Sequence, residues 1–267
     1  MRFATWNVNS IRARVDRVAA WLERSQVDVL AMQEIKCKPE QFPAAPFAAL
    51  GYEVAAHGLD QWNGVAIASR IGMADVELQF PGQPGFAKTG DPRVEARAIG
   101  ATCGDTRVWS VYVPNGRALG DPHYAYKLSF LDSLREAAAH WADAPALIAG
   151  DFNVAPLTTD IWSEEDGNAE THVTVEARAA FHALASAGYE ELSRRYLPDP
   201  NTYTFWDYQQ LRFPRNEGMR IDLAYASPAL AAAVTGVTIE RNERKGKGPS
   251  DHVPVVLEIA TPAAPRH

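Results

Sequence analysis

Residues 147–156 read LIAGDFNVAP, an apolar run that reaches Gly150 and then presents Asp151 and Asn153 with one aromatic between them. Residues i and i+2 of an extended chain share a face, so this carboxylate and carboxamide project together. Taken alone, the segment is a strand stopping at a turn, because Asp and Asn tolerate the backbone angles that turns require. The rest of the chain changes that reading.

Other apolar runs break off in the same way. FATW (3–6) leads to Asn7 and Asn9, VLAMQ (29–33) to Glu34, and VWSV (108–111) to Tyr112 and then Asn115. RIDLAYA (220–226) carries Asp222, and GPSDHVPVV (248–256) sets Asp251 and His252 just before a last strand. If these strands share a sheet end, their tips converge on one polar floor. Residues spread over most of the chain then build a single site, which predicts one domain over residues 1–267.

Further runs, VDVLAM (27–32), GVAIAS (64–69) and VEARAIGA (94–101), also read as strands. Ile11, Val15, Val18, Ala19 and Leu22 recur at helical spacing and predict an amphipathic helix over 11–24. A second helix starts with Asp121 as N-cap and Pro122 in the first turn, with Leu128, Leu131 and Leu134 as its core stripe. A third runs over 174–187 and stops at Gly188. Many strands with few long helices argue for stacked sheets flanked by helices.

Composition bounds the partners. The chain is 46% hydrophobic and 22% charged, ordinary for a globular protein. MRFATWNVNS lacks the apolar core of a signal peptide, and no apolar run reaches membrane-spanning length, so a cytoplasmic protein with no membrane partner is expected. Cys37 and Cys103 have neither metal-ligand nor CxxC spacing and read as reduced thiols. The net charge of −7 counts against a nucleic-acid binder. Local basic segments, IRARVDR (11–17) and RNERKGKG (241–248), leave room for one, although each alone reads as a solvated face.

TWNVNSIRAR, LAMQEIK, YVPNG, GDFNVAP, RIDL and PSDHVPV, in this order, resemble the exonuclease III family of abasic-site endonucleases, within the endonuclease/exonuclease/phosphatase superfamily. The resemblance implies a four-layered α/β sandwich, two packed mixed β-sheets flanked by helices, with the site at one end of the sheets. It implies an enzyme that cuts duplex DNA 5′ to abasic sites, cleans blocked 3′ ends and degrades 3′ ends, acting as a monomer. The alternative is a phosphodiesterase of the same superfamily acting on a small phosphorylated molecule or lipid headgroup.

The same resemblance assigns residues. Glu34 matches the principal ligand of a Mg²⁺ ion, for which Mn²⁺ substitutes, and Asp251 matches an acidic residue near the metal. Asn9 stands where some relatives carry Asp; a carboxamide there binds more weakly or orients a metal-bound water. Asn7 matches a positioning residue. Asp151 is the candidate for activating water, with Asn153 holding the water or the phosphate. His252 touches phosphate or acts as base, and Asp222 holds its other ring nitrogen. Tyr112 hydrogen-bonds a phosphate oxygen or acts as phenolate, and Asn115 contacts phosphate. Phe205, Met219 and Ile221 align with an apolar pocket for the base-less sugar, while Arg117 and Gln209 sit in loops that relatives push into the duplex.

Overall fold

The computed structural model describes residues 1–260; residues 261–267 of the expected domain lie outside the described residues. In chain order the strands are β1 (Arg2–Asn7), β2 (Val29–Gln33), β3 (Glu53–His57), β4 (Val65–Ser69), β5 (Ala74–Glu77) and β6 (Ala98–Cys103). They continue as β7 (Thr106–Tyr112), β8 (Ala146–Asp151), β9 (Glu190–Glu191), β10 (Asp222–Ala226), β11 (Val234–Ile239) and β12 (Val255–Ile259). They form two six-stranded sheets, ordered β11-β12-β1-β2-β4-β3 and β5-β6-β7-β8-β10-β9. Each is mixed: β1 and β2 are parallel in one, β7 and β8 in the other, and the remaining pairs are antiparallel.

Alternation along the strands sorts the layers. Phe3, Val29, Ile67, Val108, Leu147 and Leu257 from both sheets meet in an inner core. A buried polar tie crosses it, with Gln33 Nε2 donating to Thr5 Oγ1 at 3.0 Å and to Ser110 Oγ at 2.9 Å. On the outer face of the first sheet, Ala4, Trp6 and Leu30 pack against α1 (Ile11–Ser25) and α2 (Ala45–Ala49) through Val18, Trp21, Leu22 and Phe47. On the outer face of the second, Trp109, Ile148 and Tyr225 pack against α3 (Pro122–Ala138) and α4 (Val175–His182) through Phe130, Leu134 and Phe181. The four-layered sandwich is the expected one.

The helix signals hold with adjustments. The Asp121 side chain accepts from His123 N at 2.8 Å, capping α3. That helix buries Phe130, Leu131 and Leu134, while Leu128 is only half-buried. The third helix ends at His182 and tightens into a 3₁₀ turn, Ala183–Ala187, before Gly188 at φ 92°. The run at 94–101 enters the sheet only at Ala98, and Asp222 is the first residue of β10. β3, β5, β9 and β11 escaped the sequence reading. All four residues of β5 are exposed and β3 is a half-exposed edge, so neither carries the buried alternating face that periodicity reports.

Parallel pairing brings the C-terminal ends of β1, β2, β7 and β8 to one end of the sandwich. The antiparallel neighbours β10 and β12 begin there, with Asp222 opposite Asp151 and Val255 opposite Thr5. The strand tips therefore converge, as the broken apolar runs predicted.

Candidate active site

Each strand leaves its sheet abruptly at this end. Asn9, Glu34 and Asn153 adopt φ of 42°, 51° and 50°. Left-handed backbone costs a non-glycine residue roughly 1–2 kcal/mol, and such strain gathers where a side chain must be aimed. Gly150 lets β8 approach β7, since a Cβ there would sit 1.9 Å from Val111 O. Ser250 Oγ donates to Asn7 O at 2.7 Å and Trp6 Nε1 to His252 O at 3.1 Å, tying the PSDH turn to the end of β1.

Asn7 Nδ2 lies between two carboxylates, 2.8 Å from Glu34 Oε1 and 3.0 Å from Asp151 Oδ2. His252 Nδ1 is 2.8 Å from Asp222 Oδ2, and its Nε2 faces Asp151 Oδ2 at 3.8 Å. Burial alone would lower the pKa of His252; the carboxylates of Asp222 and Asp151 outweigh it and raise the ring to about 10. Burial raises Asp151 to about 7, opposed by His252 and assisted by Asp222 and Glu34. The two share one charge environment, and the charge of each shifts the other. Tyr112 is pushed well above the usual phenol range by burial and by Glu34, and the Arg97 guanidinium stacks 4.9 Å from its ring centre.

One donor atom each from Glu34, Asp151 and His252 lie within 4.8 Å of one another. The two carboxylates suit a hard divalent cation, which takes oxygen ligands, while the imidazole, raised to about 10, stands beside it as a donor. Burial would raise the Glu34 pKa, but Lys36 and Asn7 more than offset it and keep the group ionised, as a ligand must be. Asn9 and Asp251, expected beside the metal, make a pair of their own next to this cluster. Asn9 Nδ2 donates to Asp251 Oδ1 at 3.0 Å, and Asn9 Oδ1 accepts from Lys36 Nζ at 2.6 Å. Lys36 also reaches Glu34 Oε2 at 2.8 Å.

Glu34, Tyr112, Asp151 and His252 form the polar side of a cleft of about 260 Å³. Phe205, Met219 and Ile221 meet on another side of it, as the resemblance implied, with Asp166, Arg212 and Glu217 also in the lining. Phe205 and Met219 exchange backbone hydrogen bonds of 2.9 and 3.0 Å, and the Phe205 ring centre is 4.8 Å from that of His252. Asn115 and Asn153 also line the cleft. Arg117 lines an adjoining groove of about 660 Å³ that shares Tyr112 and Asn115, whereas Gln209 lies on an exposed loop and lines neither.

Trp162 and His172 are among the cleft residues that the sequence reading missed, with Asp166, Asp207, Arg212, Glu217 and Gly218. Trp162 backs the apolar wall; its backbone N donates to Gly218 O at 3.0 Å, its Nε1 donates to Asp166 Oδ2 at 3.1 Å, and Arg212 stacks 4.6 Å from its ring. A tryptophan within the polar run TTDIWSEEDGN was the available signal. His172 Nε2 lies 3.2 Å from both Asn153 Oδ1 and Asn115 Nδ2, and burial with Lys127 nearby lowers its pKa well below the usual value. THVTVE offers nothing that marks this histidine.

Comparisons with known proteins agree with this arrangement. The family model described as the Endonuclease/Exonuclease/phosphatase family matches residues 4–252. Exodeoxyribonuclease III of Haemophilus influenzae is 30% identical over 97% of this chain and 100% of its own. Among solved structures, an AP endonuclease from Archaeoglobus fulgidus superposes with a TM-score of 0.90 at 32% identity, covering 98% of this chain and 100% of that one. The 3′ phosphatase NExo from Neisseria, bound to a product DNA hairpin, gives 0.89 at 33% identity with the same coverage. With the motifs, the fold and the strand-tip cleft all in register, the chain belongs to the Endonuclease/Exonuclease/phosphatase family, on its exonuclease III branch.

Proposed function

We propose that the protein is a Mg²⁺-dependent DNA repair nuclease that hydrolyses the phosphodiester 5′ to abasic sites in duplex DNA and also processes 3′ ends. The observation that carries this is one cleft with a carboxylate–imidazole floor facing the apolar wall of Phe205, Met219 and Ile221. Such a wall suits a sugar without a base better than a polar headgroup. Glu34 would hold the cation with the Asp151 carboxylate beside it, while protonated His252 stays outside the ligand set, and the ion, Mg²⁺ or in its place Mn²⁺, would supply positive charge to the phosphate.

The chain's own groups do the rest. Asp151 accepts a proton from the attacking water, and the Asn153 N–H, 2.9 Å from Asp151 Oδ1, keeps that carboxylate aimed. His252, kept protonated by Asp222, donates from Nε2 to a non-bridging phosphate oxygen. Tyr112 serves as a neutral donor, since its raised pKa disfavours phenolate. Asn115 adds a second amide donor, and Asn7 spaces Glu34 from Asp151. Asn9 and Asp251 brace the Lys36 side of the floor, and Arg117 and Gln209 contact the duplex outside the cleft. The chain works as a single-domain cytoplasmic monomer.

A second reading, specialisation for 3′ termini, is supported by the likeness to the Neisseria 3′ phosphatase, as high as that to the AP endonuclease. The deciding experiment incubates the protein, with and without Mg²⁺, with a duplex carrying one internal tetrahydrofuran and a duplex ending in a 3′-phosphate. Metal-dependent incision at the tetrahydrofuran supports the main reading. Release of the terminal phosphate without incision selects the second, and activity on a soluble phosphoester alone rejects both.

A further inference from the structure

Behind the cleft, α3 buries a cation that the hydrolytic set does not use. Lys127 is 0% exposed. Its hydrogen bonds among the described residues all go to backbone carbonyls: Asn153 O at 2.5 Å, Thr171 O at 2.7 Å and Asn115 O at 3.2 Å. Burial lowers the pKa of Lys127 to about 7, but only the ammonium form has the three N–H donors that these three carbonyls take up. Burying an ammonium is expensive unless its donors are satisfied, and here carbonyl dipoles alone do that by direct contact.

The three carbonyls come from three separate segments: the turn after β7, the turn after β8 and the 3₁₀ turn Gly167–His172. On the cleft side the same segments meet again. Asn115 Nδ2 is 3.4 Å from Asn153 Oδ1, and His172 Nε2 is 3.2 Å from each of these two amide groups. Thr171 Oγ1 adds a bond to Asn115 O at 2.8 Å. A carbonyl triangle on the buried side thus backs an Asn–Asn–His triangle on the open side.

We propose that Lys127 is a positioning residue that pins these three turns together, so that Asn115, Asn153 and His172 present their side chains to the scissile phosphate as one rigid unit. This rests on the reading of the cleft as a phosphate-hydrolysing site. Lys127 touches no substrate; it acts through Asn153 and Asn115. Without it the turns keep the bonds from Asn153 Nδ2 to Val113 O, Ala155 N to His172 O and Thr171 Oγ1 to Asn115 O but lose the amine that reaches all three, and displacement of a positioning group by an ångström costs up to ~10²-fold in rate.

The test replaces Lys127 by Met, which keeps the length and removes the donors, and measures hydrolysis of whichever DNA probe above the wild type cuts faster. The expected result is kcat lower by about 10- to 100-fold with KM, and duplex Kd by fluorescence anisotropy, within about twofold. In an Asn153→Ala background the same replacement should cost less than about threefold, since residues acting through one another are not additive. Should Lys127→Met fail to fold, Lys127→Gln, which keeps an amide donor, carries the same cycle. Unchanged kcat, losses that multiply in the double variant, or a loss confined to Kd would overturn the proposal. A wild type inert on every DNA probe overturns the functional reading and this one with it; an active wild type with an unaffected variant overturns this one alone.

Discussion

Asp151 has Asn7 on one oxygen, the Asn153 N–H on the other, and His252, Asp222 and Glu34 as its charged neighbours. Replacing it with Asn keeps shape and removes the proton acceptor. Turnover of Asp151→Asn should fall by about 10²–10⁴ while duplex binding holds or tightens; near-normal single-turnover cleavage would assign Asp151 a structural role. Glu34→Gln should raise the Mg²⁺ concentration needed for half-maximal rate, because a carboxamide is a poorer ligand for a hard cation. An unchanged metal titration with lower activity would remove Glu34 from the ligand set. His252 makes a separate prediction about stability. Its pKa of about 10 in the folded protein exceeds the unfolded value of ~6.5. The stabilisation is full below ~6.5 and drains away as pH rises through about 10. Asp151, raised to about 7, loses its own contribution at lower pH, between the ordinary carboxylate value of ~3.9 and about 7. In chelator, calorimetry should show Tm falling between pH 6.5 and 10, with a flatter profile in His252→Gln. A flat wild-type profile would contradict the charged pair.

At the scale of elements, the parallel β7–β8 pair matters most, because it puts Tyr112 opposite Asp151. Its register requires Gly150, where an added methyl would meet the Val111 carbonyl carbon and oxygen at 2.8 and 1.9 Å. Gly150→Ala should destabilise the fold by about 1–3 kcal/mol or more, as overpacking does, and reduce activity even at temperatures where the variant stays folded. A denaturation midpoint equal to the wild type's would mean the strands can part without cost. The turn just beyond β8 was legible as Asp and Asn two apart, but its left-handed Asn153 was not. That backbone angle follows from Lys127, Val113 and His172 holding the residue from three sides, none of them near in sequence.

For the whole molecule, the two basic segments recognised near opposite ends of the chain turn out to be neighbours. Glu243 pairs with Arg17 at 3.1 Å and Arg24 at 2.8 Å, while Arg244 stacks 4.8 Å from the Tyr208 ring. The two segments thus pack side by side, with Arg244 buried and Arg12, Arg241, Lys245 and Lys247 exposed, on a chain whose net charge is −7. Part of their positive charge is neutralised internally, so a moderate electrostatic grip is expected. Duplex affinity should fall linearly on a log–log salt plot with a slope of about −3, at ~0.9 per phosphate contacted. A salt-independent Kd would exclude phosphate contacts as the source of binding.

Glu34, Tyr112, Asp151 and His252 were readable in the chain because each follows or precedes a buried apolar run, and such runs are local patterns that any strand must display. The same holds for the two-sheet sandwich, whose inner and outer faces are written in alternation. Which of these residues touch is another matter. Asn7 meets Asp151 across 144 positions and Trp6 meets His252 across 246, distances over which only sheet pairing and sheet stacking set the geometry. His172 and Lys127 carry no periodic or motif signal of their own, and Trp162 has only its place in a polar run. They enter the site because turns from three parts of the chain close over one another, so their neighbours are decided by packing and not by the residues beside them in the sequence.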